Sequence, residues 1–177
     1  MKILASAAVT LALLSGTAYA ADAPLVVVDE EAVAFAISGW DGFYLGVGVI
    51  AETAAPPSPA DTIVGLQGIA GFNATFDSVL LGGEVYIMPG WSTASGFGWG
   101  VGALGRLGVL VTDSALLYGA VGLEWQSNNT TWTSVGGGVE FIVSEDLSLD
   151  LEYKYYLENG GGGGRYHHVG LSANWQF

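Results

Sequence analysis

The sequence predicts an all-β fold: an eight-stranded antiparallel up-and-down transmembrane β-barrel. Three observations carry this. Polar and apolar residues alternate with a period of two along most of the chain, which sorts them onto the two faces of strands. The chain is 51% hydrophobic with a mean hydropathy of +0.47, yet past its N-terminus no apolar run reaches the ~20 residues of a membrane-spanning helix. The links between alternating segments are short and longer by turns, the asymmetry of barrels that cross an outer membrane.

Residues 1–20 read as a signal peptide. Lys2 is the charged start, Ile3–Leu14 the apolar core, and Ala18-Tyr19-Ala20 a small-x-small cleavage site. The apolar core is too short for an uncleaved anchor helix. Residues 21–39 read as a periplasmic leader, with Pro24, a Leu25–Val28 run and the acidic Asp29-Glu30-Glu31. The barrel domain is placed at 40–177. Once Lys2 is removed, three basic side chains stand against seventeen acidic ones, a formal charge of −14. That sign argues against nucleic acid and against anionic headgroups as ligands. With no cysteine, disulfides are excluded, as is a lipid-modified N-terminal cysteine.

Eight alternating segments follow: Gly42–Ala51, Thr62–Asn73, Val79–Met88, Gly98–Val111, Leu116–Gln126, Trp132–Val143, Ser148–Glu158 and Tyr166–Phe177. Each has about the 9–11 residues of a tilted bilayer-crossing strand, or slightly more. The last shows the pattern best, with Val169, Leu171, Ala173, Trp175 and Phe177 alternating with Gly170, Ser172, Asn174 and Gln176. The links Ala74–Ser78, Thr112–Ala115 and Ser144–Leu147 are short, and each holds an aspartate suited to a turn. The other links are mostly longer. Glu52–Asp61 holds three prolines, Pro89–Phe97 is rich in Gly, Ser and Thr, Ser127–Thr131 is polar, and Asn159–Arg165 has five glycines in a row. An even number of strands lets the ends pair and close, which leaves no open edge in lipid.

Parity assigns the faces. Leu45, Val47, Leu66, Val85, Leu107, Val121, Val139, Leu151 and Leu171 fall outward, with no charge among their outward neighbours. Outward aromatics form two girdles: Phe43, Phe72, Phe141 and Trp175 near the short turns, Trp99, Trp125 and Tyr155 near the longer loops. Inward fall Gln67, Glu84, Arg106, Glu124, Glu140, Glu152, Lys154 and Asn174, together with many glycines. Eight strands leave an interior just wide enough for side chains, which gives the glycines a reason. Counted from the short turns, Glu84, Arg106, Glu140, Glu152 and Lys154 come within a residue or two of one height. They predict one ion-pair layer that plugs the lumen.

Several stretches resemble the small outer-membrane β-barrels of Gram-negative bacteria known as porin-family or outer-membrane surface-antigen proteins, relatives of OmpA-type eight-stranded domains. They are W-D-G-F-Y-L-G-V (Trp40–Val47), G-L-Q-G-I-A-G-F-N (Gly65–Asn73), F-D-S-V-L-L-G-G-E-V (Phe76–Val85), G-R-L-G (Gly105–Gly108), V-G-G-G-V-E-F (Val135–Phe141), L-S-L-D-L-E-Y-K-Y-Y (Leu147–Tyr156) and V-G-L-S-A-N-W-Q-F (Val169–Phe177). The resemblance implies an outer-membrane address and outer-membrane lipid as surroundings. It further implies periplasmic chaperones and the barrel-assembly machinery as partners, the latter reading Trp175 and Phe177 as its signal.

Other motifs are weaker. Gly100-Val-Gly102-Ala-Leu-Gly105 matches G-x-G-x-x-G but lies inside an alternating strand with no helical pattern after it. Gly160–Gly164 lacks the Lys-Ser/Thr of a phosphate loop and reads as a flexible outer loop. His167 and His168 are strand neighbours that point to opposite faces, so they cannot share a metal; they read as a loop-edge pair without partners. The polar rim residues Asp61, Ser92, Ser95, Glu158, Tyr166, His167 and His168 show no order that makes a nucleophile–base set. The expectation is therefore a non-enzymatic monomer without cofactor or metal. Its role is envelope integrity and surface contact. A narrow channel for water, ions or small solutes and a loop-mediated host or phage adhesin are the alternatives.

Overall fold

The computed structural model describes residues 39–56, 58 and 60–177. The signal peptide at 1–20 and all but the last residue of the leader at 21–39 lie outside the described residues. The described chain forms eight strands: β1 (Gly42–Ala54), β2 (Thr62–Phe76), β3 (Val79–Ser92), β4 (Gly96–Thr112), β5 (Ala115–Gln126), β6 (Thr131–Ser144), β7 (Leu147–Asn159) and β8 (Arg165–Gln176). Each pairs antiparallel with the next, and β8 pairs with β1 to close the barrel. Every backbone edge is thereby used, which an open sheet could not achieve.

The strands run further than the alternation alone indicated. β2 continues to Phe76, leaving only Asp77 and Ser78 as a turn. Asp77 takes a positive φ of 60°, a conformation that a short polar side chain tolerates. β3 passes through Pro89, which the sequence assigned to the link Pro89–Phe97, although proline cannot donate to a ladder. The β2–β3 register runs from Gly65↔Gly90 directly to Gly68↔Ile87, so pairing to β2 lapses beside Pro89. On its other edge Pro89 pairs with Trp99. The other two short turns follow β-bulges, between Leu110 and Thr112 and between Ile142 and Ser144. Such bulges sharpen the local twist at a barrel rim.

The outward face is apolar. Leu45, Val47, Val49, Leu66, Val85, Leu123, Leu151 and Leu171 are each half or more exposed. Outward strand positions hold no acidic side chain, and the basic ones, Arg165 and His167, stand at the long-loop rim. Phe43 packs on Phe72 with ring centroids 4.9 Å apart, and Trp99 on Trp125 at 5.3 Å. Phe141 and Trp175 are exposed near the short-turn end, and Tyr155 is half-buried at the other. Sequence reasoning missed a third pair, Trp91 and Phe97 at 5.0 Å, because it assigned both to a loop.

Inside, Tyr44, Tyr86 and Tyr118 lie on alternate strands, each directly opposite a glycine of the next strand: Gly71, Gly102 and Gly138. A Cβ on any of the three would collide with the facing tyrosine. The glycines therefore do more than let strands bend: they make room for rings stacked across the lumen wall. At the short-turn end Trp40, Leu80 and Leu116 are almost fully buried, and Trp40 Nε1 donates to the Asp113 carbonyl at 3.0 Å. This apolar layer lies at that mouth and leaves the Trp40 indole N–H paired.

Candidate functional site

The lumen is the concentrated chemistry of this chain. Inward parity drives Arg106 of β4 into it, with no side-chain exposure. Its Nε donates to Asn73 Oδ1 at 3.0 Å, and its Nη1 to Glu140 Oε2 at 2.9 Å. The same nitrogen lies 3.2 Å from Glu84 Oε1. Tyr44 and Tyr118 flank the guanidinium, whose carbon stands 4.9 and 5.2 Å from their ring centroids. Glu140 accepts further bonds from Ser148 and from Asn174 Nδ2, the latter at 3.0 Å. Tyr44 donates to Glu84, and Tyr118 to Asp150. A cation with this many fixed acceptors is held in one geometry.

Lys154 of β7 centres a second cluster. Its ammonium stands 2.7 Å from Glu152 Oε1 and 4.7 Å from the Tyr86 ring centroid. His168 Nδ1 lies 2.9 Å from Glu52 Oε1, and its Nε2 3.8 Å from Glu152 Oε1. Glu124 accepts from Gln126 Nε2 at 3.0 Å and from the Tyr86 hydroxyl at 3.4 Å. The single layer drawn from the sequence is thus two clusters, one around each base. Glu84, Glu140 and Asn174 belong with Arg106, and Glu152 with Lys154. Glu124 and its partner Tyr86 join the second, while Gln67 lies beside Gly48 and Gly170. Height counting placed Arg106 and Lys154 together because residue counts from three turns ignore the register offset between tilted strands.

Six side chains central to these clusters escaped the sequence reading: Glu52, His168, Asp150, Tyr44, Tyr86 and Tyr118. Glu52 had been assigned to the proline-containing loop, but β1 runs three residues further, to Ala54, and takes it into the wall. His168, read as unpartnered, is fully buried against that glutamate. Asp150 and the tyrosines shared the inward parity of the glycines, and that was the available signal. Above the clusters, at the long-loop end, opens a vestibule of about 310 Å³ lined by Ile50, Glu52, Met88, Glu124 and Gln126 among others.

The rim is tied by Asp61. Ser92 Oγ donates to it at 2.9 Å, Thr93 Oγ1 at 3.0 Å, the Ala94 N–H at 3.2 Å and Tyr166 at 3.2 Å. Partial burial pushes this carboxyl up, but those donors outweigh it and hold it below the usual carboxylate range. A depressed folded pKa gives stability that is complete above the unfolded value of about 3.9 and is lost as pH falls through the folded one. Acidification through that window is expected to loosen the turn at 92–95. Amide exchange at Ala94 and Ser95, corrected for intrinsic rates, should accelerate there in the wild type and stay pH-independent in Asp61→Asn. The same ties place Ser92 on an aspartate rather than a histidine.

No protein-family model and no curated protein matches the chain. Solved structures do. Neisserial surface protein A superposes with a TM-score of 0.61 at 15% identity, covering 77% of this chain and 98% of that one. The attachment invasion locus protein of Yersinia pestis, Ail, gives 0.52 at 14% identity, covering 77% and 99%. A de novo designed transmembrane β-barrel gives 0.51 at 20%, covering 77% and 97%. The likeness establishes the fold: a small, closed, eight-stranded antiparallel barrel.

Proposed function

We propose that this chain is an outer-membrane protein, exported through its signal peptide, inserted as a monomer, and serving envelope integrity rather than catalysis. The observation that carries the reading is the outward face. It is apolar from one aromatic belt to the other and lacks acidic side chains, which is costly in water and required in hydrocarbon. Lipid is then its main partner. Periplasmic chaperones would deliver it and the barrel-assembly machinery would insert it, with Trp175 and the exposed terminal Phe177 as the signal read.

The lumen is proposed to be closed. Arg106 is held by partners on other strands and Lys154 by Glu152 of its own strand and the Tyr86 ring of β3, and Trp40 with Leu80 and Leu116 would seal one mouth. The experiment is conductance of purified protein in planar bilayers. The expected result is silence in the wild type; steady open-channel currents would replace the structural role with a narrow pore. An adhesin role has less behind it. Ail has been solved with the heparin analogue sucrose octasulfate, but here the long-loop rim carries Asp61 and Glu158 against a single arginine, Arg165, among the described residues. The loops at 93–95, 127–130 and 160–164 are also short.

A further inference from the structure

We infer that Arg165 and His167 form a site for the phosphate of an anionic lipid headgroup at the outer rim of the barrel. The inference rests on the membrane reading above. On an outward face otherwise without charge, these two side chains sit two residues apart on β8 and so point the same way. His167 pairs in register with Tyr155, and Arg165 with Leu157. Residues directly opposite share a face, so the pair rises from the aromatic belt to just beyond it. Aromatic belts mark the interface, and the step past them is headgroup height.

His167 is built into the wall. The Tyr153 hydroxyl lies 2.7 Å from its Nδ1, and the rings of Tyr155 and Tyr153 stand 5.2 and 6.1 Å away. With the Tyr153 hydroxyl as donor to Nδ1, Nε2 carries the ring hydrogen and can donate to an anion. The ring so held lies on the same strand face as the exposed Arg165. Planar guanidinium and imidazole N–H groups together suit a phosphate oxygen set.

The strongly negative chain argued against such a ligand, but among the described residues the acids are elsewhere or engaged. Glu52, Glu84, Glu124, Glu140, Asp150 and Glu152 face the lumen, and Asp41, Asp77, Asp113, Glu145 and Asp146 cluster at the opposite end. That end lies a membrane thickness away, beyond the ~8 Å screening length of physiological salt. The two acids of the near rim are engaged, Asp61 by the donors described above and Glu158 by the Gly164 N–H at 2.8 Å.

The test uses the mature chain inserted in phosphatidylcholine vesicles, with spin-labelled phosphatidic acid and spin-labelled phosphatidylcholine as probes. Electron spin resonance reports the fraction of each probe held at the protein surface. Phosphatidic acid is expected to be preferred by about fivefold or more, the scale of one or two interfacial basic groups. Arg165→Gln/His167→Gln should bring the preference to parity, and Arg165→Lys should keep much of it. A wild-type chain that inserts but shows no preference, or a double variant that keeps it, overturns the site alone. Failure to insert overturns the membrane reading instead. A preference abolished by inorganic phosphate would assign the site to free anions and overturn the lipid assignment.

Discussion

Arg106→Ala is expected to lower the unfolding free energy of the barrel by about 3–5 kcal/mol, the scale of removing one partner from a buried ion pair. The argument is one of orphaned charge. Glu140 is fully buried and Glu84 nearly so, and both aim carboxylates at one guanidinium. Without it, Glu140 keeps neutral donors in Ser148 and Asn174, while Glu84 keeps Tyr44. Neither retains a countercharge within the cluster, and Asn73 Oδ1 loses its donor as well. Arg106→Lys should recover only part of the loss, because one ammonium cannot reproduce the separate Nε and Nη1 contacts. Arg106→Met combined with Glu84→Gln and Glu140→Gln should cost less than Arg106→Met alone, since uncharged amides no longer demand a cation. Urea unfolding of the lipid-inserted protein, followed by gel migration of folded and unfolded forms, reads all of these. An unchanged midpoint in Arg106→Ala would mean that water reaches these carboxylates and that the lumen is not packed.

Leu171→Arg carries the second large effect, about 2–4 kcal/mol for an arginine near the bilayer midplane. Leu171 is half exposed and lies in register between Val49 of β1 and Leu151 of β7, all three outward. No acid shares that face to receive the new charge. Leu171→Ala should be mild by comparison, because it exposes nothing polar to hydrocarbon. The same arginine placed near the rim, at Thr53 in register with His167 for example, should cost at most about 1 kcal/mol, as the penalty falls toward the interface. Refolding yield and unfolding midpoint in vesicles separate the three. Equal tolerance at both depths would mean that no hydrocarbon surrounds the barrel.

Much of the architecture could be read from period-two alternation, because burial sorts residues by face on every strand. Val169 to Phe177 already shows which side of β8 meets the lumen, and the structure keeps that assignment. Strand ends were less legible. The segment was ended at Met88 before Pro89, but an outward proline interrupts only the pairing to β2, and the strand runs on through it in register with β4. The lumen network was legible in its charged members and not in its arrangement. Parity places Arg106 and Lys154 inside but leaves open which glutamate each will meet, since that depends on the stagger between strands. Tyr44, Tyr86 and Tyr118 could have been found by asking what fills the space their facing glycines leave. Glu52 was hidden for a different reason, since loop composition masked the end of its strand, and His168, though placed on a strand, was missed because its partner Glu52 was.

The central claim, hydrocarbon outside and a packed polar interior, is tested most directly with two single-tryptophan variants in lipid brominated on its acyl chains. One keeps Trp125, an outward residue of the upper belt, and the other Trp132, which points inward and is 5% exposed. Strong bromine quenching of Trp125 fluorescence with little effect on Trp132 is the expected result. Quenching of Trp132 but not Trp125, or of neither, would contradict it.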